Sequence, residues 1–365
     1  MELTKCKLGE LITQRREKND GSDLPICGVS KDGLIPPKQK DADTSIYNVF
    51  YRDDFIFNPA RMELNSIAIN DMYDRAICSS LYEVFYVHRT DLLLPHYLKL
   101  IIRQKWFTRY CEFLGQGSAR EYCRFSNISE IEIEFPPVEE QQKIVDYNTV
   151  IENRIALKQK INDNLLNSVQ AIFRSWFVDY DPFDGVCPSN WETGCVEDIT
   201  EFFDSMRKPL SSLERADMER IYPYYGAVSI VDYVDDYIFD GEYLLVSEDG
   251  IYVVDENGHP LIQHISGKFW ANNHAHILKG KAGFNEDSLY LFLANTNMAP
   301  IVTGAAQPKI NQANLKSFPI TIPDSETMLK FNNIIQPFFD QRLTNESEIK
   351  KLEALQSLLL TRLVD

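Results

Sequence analysis

The stretch that decides the architecture is VEEQQKIVDYNTVIENRIALKQKINDNLLNSVQAIFRSWF, residues 138–177. It has no internal Pro or Gly, is rich in Gln, Glu, Lys, Asn, Ile and Leu, and follows the stop Pro136-Pro137. Nothing in it breaks the hydrogen-bond ladder, so it is predicted to be one long helix. At about 1.5 Å per residue it makes a rod of roughly 57 Å. Apolar residues recur at mostly three- and four-residue steps, Ile151 and Ile155, then Ile161, Leu165, Val169, Ile172 and Trp176. That is a seam for a partner helix, interrupted at Lys158, Gln159 and Lys160. Residues 325–364 are predicted to be the partner, through Met328, Phe331, Ile335 and Phe338 and, past Arg342 and Asn345, Ile349, Leu352, Leu359 and Leu363. Pro337 lies inside it and should kink or split it. The two helices are expected to pair antiparallel. Trp176 and Phe177 are expected to anchor the first helix on a globule.

The two other regions are mixed α/β. In residues 1–137, an amphipathic start (Leu8, Leu11, Ile12) precedes strand signals at IYNVF (46–50), DFIFN (54–58) and LYEVFYV (81–87). PHYLKLIIRQKWFTRYCEFL (95–114) is predicted as a helix, and Ile131, Ile133 and Phe135 alternate as in a strand. Residues 185–323 repeat the order, with strands at 242–246 and 274–278, a helix at 288–297, a loop GAAQPKIN and then LKSFPITIP. At an offset of 187, Gly117 falls on Gly304, Asn127 on Asn314, Ile133 on Ile320 and Pro136 on Pro323. The chain thus reads as a tandem duplication. The fold class is α+β, with domains at 1–137 and 185–323 and long helices at 138–184 and 324–365. The two helices form an antiparallel coiled coil with pseudo-two-fold character.

Composition excludes several classes. No run of eighteen apolar residues or apolar leader is present, so no membrane span or secretion is expected, and a cytoplasmic location is. Seven scattered cysteines without a C-x-x-C pair argue against a zinc ribbon or disulfide scaffold. The net charge of −17 is unevenly spread. Residues 1–137 carry 18 basic and 20 acidic groups, whereas residues 185–323 carry 9 and 19.

No catalytic constellation is found. Asn58-Pro59-Ala60 is half of an amino-methyltransferase motif. GQGSAR (115–120) has Arg120 where a dinucleotide loop needs Gly. His274-x-His276 puts two imidazoles on one strand face, more often a polar stripe or a hydrogen-bonded core position than a metal site, and Asp324 with Glu348 and Lys350 is a nuclease triplet only on paper. No catalytic residue and no metal are expected.

NRIALKQKINDNLLNSVQAIFRSWFVDYDPF (153–183) and PSNWETGCVEDI (188–199) resemble the DNA-specificity (S) subunits of type I restriction–modification systems. YPYYGAVSIVDYVDDYIFDGEYLLVSEDG (222–250) and GAAQPKINQANLKSFPITIP (304–323) look like a second target-recognition domain of that family, and YNVFYRDDFIFNPARMELNSIAI (47–69) like a first one. The resemblance implies that each globule reads half of a split double-stranded DNA site, at a spacing near one DNA turn, ~34 Å. It implies docking of two methyltransferase (M) subunits and of restriction (R) subunits, with S-adenosylmethionine, ATP and Mg in those partners and no cofactor here. With so acidic a second globule, much of the phosphate contact is expected to come from the M subunits, and the isolated chain to bind DNA weakly. Rival readings are the specificity subunit of a type IIB or IIG system, and an acidic coiled-coil scaffold or DNA-mimic regulator.

Groove reading favours Arg, Lys, Asn, Gln, Ser and aromatic groups on loops. The candidates in the first globule are Asn58, Arg61, Asn65, Ser66, Gln116, Ser118, Arg120, Tyr122 and Arg124. In the second they are Tyr225, Ser247, Asn272, Asn273, His274, Gln307, Lys309 and Asn311. Many Asn and Ser among them could equally be turn or capping residues. Candidate partner-docking cations on the helices are Lys158, Lys160, Arg174, Lys350 and Lys351.

Overall fold

The computed structural model describes residues 3–31, 33–37, 43–114, 122–250, 253–304 and 306–361. It divides into two compact units, residues 1–158 with 348–365, and residues 159–347.

Unit 1 is framed by strand Thr4–Lys7, which pairs antiparallel with Glu132–Phe135. Ile131, Ile133 and Phe135, alternating in sequence, all point into the core. After a two-residue link, Pro136-Pro137, Val138 begins the long helix. The main sheet runs in the order Ile12–Arg15, Glu83–Val87, Phe55–Phe57, Ile67–Ile69, all antiparallel. A second sheet, Gly33–Ile35, Ile26–Ser30, Arg75–Cys78, Asn48–Tyr51, contains one parallel pairing. The expected single helix over 95–114 is two, Pro95–Ile102 and Lys105–Leu114. The break at Arg103-Gln104 lets Leu98 and Ile101 of the first helix, and Phe107 and Cys111 of the second, enter one core.

Unit 2 repeats the frame. Glu192–Cys195 pairs antiparallel with Pro319–Ile322, and after a two-residue link Ser325 begins the second long helix. Its main sheet begins Thr200–Phe202, Ala275–Gly280, Phe239–Ser247, Ile262–Ala271, the same neighbour order as in unit 1. Here the sheet continues through Tyr222–Tyr225 and Ile230–Val234. The short helices Phe125–Ser129 and Gln312–Lys316, and the strands after them, also correspond between units. The tandem repeat read from scattered identities is a repeat of connected elements.

The first long helix spans Val138–Phe177 as expected. The second spans Ser325–Thr361 without a break at Pro337, so the expected split does not occur. Pro337 and Asn333, whose carbonyl loses its i+4 donor, are both exposed, so water can satisfy that carbonyl. The seam differs from expectation at its middle, where Ile161 is exposed. The three-four spacing runs instead Ile151, Ile155, Lys158, Asn162, Leu165, Val169, which puts two polar residues in the seam. Within unit 1, Lys158 Nζ meets Glu348 Oε2 at 2.6 Å and Gln356 Nε2 donates to buried Asn148 Oδ1 at 3.0 Å. Within unit 2, Asn345 Nδ2 donates to Asn162 Oδ1 at 2.8 Å, with Asn345 only 2% exposed. As numbers rise on one helix they fall on the other, so the packing is antiparallel in each unit.

Each helix is rooted differently. In unit 1, fully buried Gln141 accepts from the Leu94 N–H at 2.8 Å. It donates to the carbonyls of Leu92 at 2.7 Å and Pro136 at 2.8 Å. In unit 2 the root is aromatic: Phe177 lies 4.7 Å from both Phe292 and Phe331, and Trp176 lies 5.8 Å from Phe331. Trp176 and Phe177 are packing residues, as anticipated.

Unit 2 also buries an acidic pocket. Asp287, 4% exposed, lies beside His264, with 3.5 Å between Oδ1 and Nδ1. Burial, with Glu242, Asp340 and Glu286 nearby, pushes Asp287 up to about 7. Burial and Arg342 push His264 down to about 4. The distance alone suggests an ion pair, but these shifts make both groups neutral between those values. The neutral reading is preferred, because at Asp287 burial and the neighbouring carboxylates outweigh Arg342, and at His264 burial and Arg342 both disfavour the charged ring.

Two expectations follow from these roots and pockets. Gln141→Ala leaves buried backbone groups without partners and should cost unit 1 about 2 kcal/mol in chemical denaturation. Asp287 binds its proton more tightly when folded, so its contribution is intact near pH 4 and lost as pH rises through about 7. Asp287→Asn should therefore raise Tm clearly more at pH 8 than at pH 5; an equal gain at both would refute the buried neutral acid.

Candidate nucleic-acid interface

In unit 1 the candidate residues surround the short 3-10 segment Pro59–Leu64, which is kinked at Arg61 (φ −139°, ψ 26°). Asn58 caps it, its Oδ1 accepting from the Ala60 N–H at 3.1 Å. Asn65 ends it in the left-handed region at φ 52°, a conformation its short amide tolerates. Ser66 is buried and donates to the Val29 carbonyl at 3.1 Å. These three are turn and packing residues, as the capping reading allowed. Arg61 is exposed and makes no ion pair among the described residues. The Cys123 N–H donates to the Pro59 carbonyl at 3.1 Å, which brings Tyr122 and Arg124 to the same turn. Tyr122 is exposed, and the Arg124 guanidinium lies over its ring at 5.8 Å and reaches Glu83 at 3.3 Å. Gln116, Ser118 and Arg120 lie outside the described residues.

Beside Arg61 opens a cleft of about 620 Å³. The strand Ile26–Ser30 and Ile35–Pro37 form part of its wall, with Lys31, Tyr47, Leu64, Leu81 and Tyr82 at the sides. The sequence reading passed over these last five. The turn signal Lys31-Asp32-Gly33 was present, but nothing tied it to Arg61 thirty residues on.

In unit 2 the candidates converge at one end of the main sheet. The Asn272 N–H donates to the Tyr225 carbonyl, the Glu248 N–H to His274 and the Ile310 N–H to Glu248. Lys309 and Thr303 exchange both backbone hydrogen bonds, closing the loop that carries exposed Gln307. Tyr225 packs edge-on against Phe269, Ser247 is fully buried, and Asn311 caps Gln312–Lys316. Asn272 is buried, and its Oδ1 accepts from the His274 N–H at 2.8 Å. Asn273 is exposed, its carbonyl turned to Arg207.

Beneath them lies a network that the sequence did not disclose. His276, fully buried, places Nδ1 2.6 Å from Asp204 Oδ2 and Nε2 2.8 Å from the Ile310 carbonyl. Arg207 donates to Glu248 at 2.5 Å, Lys309 pairs with Glu248 at 2.9 Å, and Gln312 donates to Asp204 at 2.7 Å. Burial would raise Asp204, but the His276 hydrogen bond and charge, the Ile277 N–H and Arg207 outweigh it, and its carboxyl sits below the usual range. Glu248 is likewise lowered against burial, by Lys309 and Arg207. Asp204, Glu248 and His276 have ligand atoms within 4.8 Å of one another, a spacing a metal ion could use. The Arg207 guanidinium and Lys309 ammonium already supply the countercharge, so the group is built as an ion-pair network. His274 does not join His276; it pairs with Asp249 at 2.6 Å. Two of the side chains chosen for DNA, Lys309 and His274, are thus held by carboxylates.

Of the docking cations, Lys158 is not on an outer face. Its side chain is 15% exposed and tied to Glu348, because position 158 falls in the seam. Lys160, Lys350 and Lys351 are exposed, and exposed Arg174 reaches Asp179 at 3.2 Å. Asp324 caps the second long helix through the Glu326 and Thr327 N–H groups.

With this geometry in view, comparison with known proteins gives a consistent answer. The type I restriction modification DNA specificity domain matches twice, over residues 6–167 and 188–355. The chain belongs to that family and carries two copies of its domain in tandem. The Haemophilus influenzae protein S.HindORF215P, described as a type I restriction enzyme specificity subunit, is 38% identical over 128 residues. That alignment covers 35% of this chain and 32% of the relative, about a third of each. The Methanocaldococcus jannaschii type I restriction enzyme MjaIX specificity subunit is 24% identical over 299 residues, 75% of this chain and 69% of the relative. The crystal structure of a type I S subunit from M. genitalium superposes with a TM-score of 0.59 at 14% identity, covering 99% of this chain and 96% of the other. At that identity the match concerns the fold.

The placement of Lys158 carries its own test. Lys158→Glu should lower the Tm of the chain by facing Glu348 with a like charge, and Glu348→Lys in the same chain should restore it. A single variant that melts like the parent would return Lys158 to the surface.

Proposed function

We propose that the chain is the sequence-specific DNA-recognition subunit of a type I restriction–modification system. Each unit reads one half of a bipartite double-stranded site. The chain itself is non-catalytic and docks two M subunits and the R subunits through exposed faces of the long helices. Adenine methylation with S-adenosylmethionine, and ATP- and Mg-dependent cleavage, belong to those partners. The observation that carries this reading is the repetition within one chain. Two specificity domains share a strand frame, each leads directly into a long helix, and the two globules differ in charge. A repeated frame on unlike globules suits two unlike half-sites better than one symmetric target.

No described helix is long and apolar enough to cross a membrane. A cytoplasmic setting, where chromosomal DNA and the partner subunits meet, is part of the same proposal. The ion-paired cations of unit 2 support the view that phosphate contact is shared with the M subunits.

Long-read sequencing of DNA from cells expressing a cognate M subunit, with and without this chain, tests the proposal. The expected result is a split adenine-methylated motif that appears only with the chain. Co-purification without any motif would favour a regulator built on the same scaffold. Absence of both would overturn the assignment.

A further inference from the structure

The cleft beside Arg61 is chemically unlike the rest of this acidic chain. Its described lining holds two cations, Lys31 and Arg61, and no carboxylate. Neither cation makes an ion pair among the described residues. Elsewhere in unit 1 this is not the rule, since Arg15, Arg52, Arg75, Arg89 and Arg124 each face a carboxylate. A chain of net charge −17 that leaves an uncompensated guanidinium and ammonium on one concave surface has shaped that surface for an anion.

The rim narrows the class of anion. Leu64 and Leu81 stand 60% and 79% exposed on either side. Each is held out by a tight turn. Leu64 precedes left-handed Asn65, and the Leu81 N–H donates to Ser79 Oγ at 3.3 Å. Tyr47 and Tyr82 are half-buried in the walls. Cations flanked by aliphatic and phenolic surface match a DNA groove, where phosphates lie beside sugars, base edges and thymine methyl groups. The floor is pre-formed, because Ser66 fastens the Arg61 turn to Val29 and Asn58 caps it.

We propose that this cleft is the base-reading surface of unit 1. Arg61 contacts a base edge, guanine O6 and N7 being the partners its fork fits. Lys31 contacts a phosphate, and Leu64 and Leu81 pack on sugars or thymine methyls. The inference rests on the DNA-recognition reading above and assigns it to a place.

The test uses the complex with its M subunit. The motif and methylation rate are read for the parent and for Arg61→Ala, Arg61→Lys, Lys31→Ala and Leu81→Ala, with Tm and co-elution recorded for each. Arg61→Ala should lower methylation roughly ten- to a hundredfold or relax one position, in one half of the motif only. The other half serves as an internal check that the chain is folded. Arg61→Lys should keep affinity but lose the base preference. Lys31→Ala should weaken binding on all sequences and reduce the log–log salt slope by about 1. If the parent directs a split motif and folded Arg61→Ala and Leu81→Ala leave both halves and the rate unchanged, the cleft assignment is overturned while DNA recognition stands. If the parent directs no motif, the DNA-recognition reading itself falls and takes the cleft with it.

Discussion

The structure depends on the joint between a strand and a long helix. In each unit the last strand pairs antiparallel with the first strand of that unit, and the helix begins after a link of two residues. So short a link leaves the helix little freedom to swing. Its direction is set by the strand, and the strand is held by residues more than a hundred positions earlier. The helix root then needs its own seal, and the two units solve this with different chemistry. Unit 1 uses one amide with all its partners supplied. Unit 2 uses a cluster of rings, whose pairs each add about 0.5–1.5 kcal/mol beyond their buried area. Met328 stands in unit 2 where Gln141 stands in unit 1, and both are fully buried.

The seam between the helices follows a second principle. An uninterrupted apolar stripe would pack in several registers of similar energy. Here Asn148 meets Gln356, Lys158 meets Glu348 and Asn162 meets Asn345. A slip of one turn would leave buried amides without partners, which costs more than the apolar contacts could recover. These polar rungs contribute alignment rather than gross stability.

Much of this frame was legible in the sequence. The first helix had no breaker and clear boundaries, and the repeat offset carried helices, strands and joints onto one another. The seam was misread at its centre, because an eye trained on apolar residues chose Ile161 over Asn162; strict three-four spacing would have chosen correctly. Of the two expectations for Pro337, a kink or a split, the split does not occur, and the exposure of Pro337 that allows a continuous helix is invisible in a sequence. The candidate site was less legible. Composition selected Asn and Ser without telling caps from contacts, as Asn58, Asn65 and Asn311 show. It selected Lys309 and His274 without seeing Glu248 and Asp249 beside them. The cleft walls come from segments far apart in sequence, Lys31, Arg61 and Leu81, and no local pattern joins them.

The division into compact units has a consequence for how the chain is made. Residues 159–347 form one continuous segment, whereas unit 1 is assembled from residues 1–158 and 348–365. A ribosome delivers unit 2 whole, but it delivers unit 1 with part of its helix packing missing until the second long helix emerges. Lys158 is made nearly two hundred residues before Glu348, with which it pairs in the finished chain. The first-made half of the protein is therefore the last to be completed, and the nascent chain has a long interval in which an apolar helix face is open to chaperones or to a partner subunit.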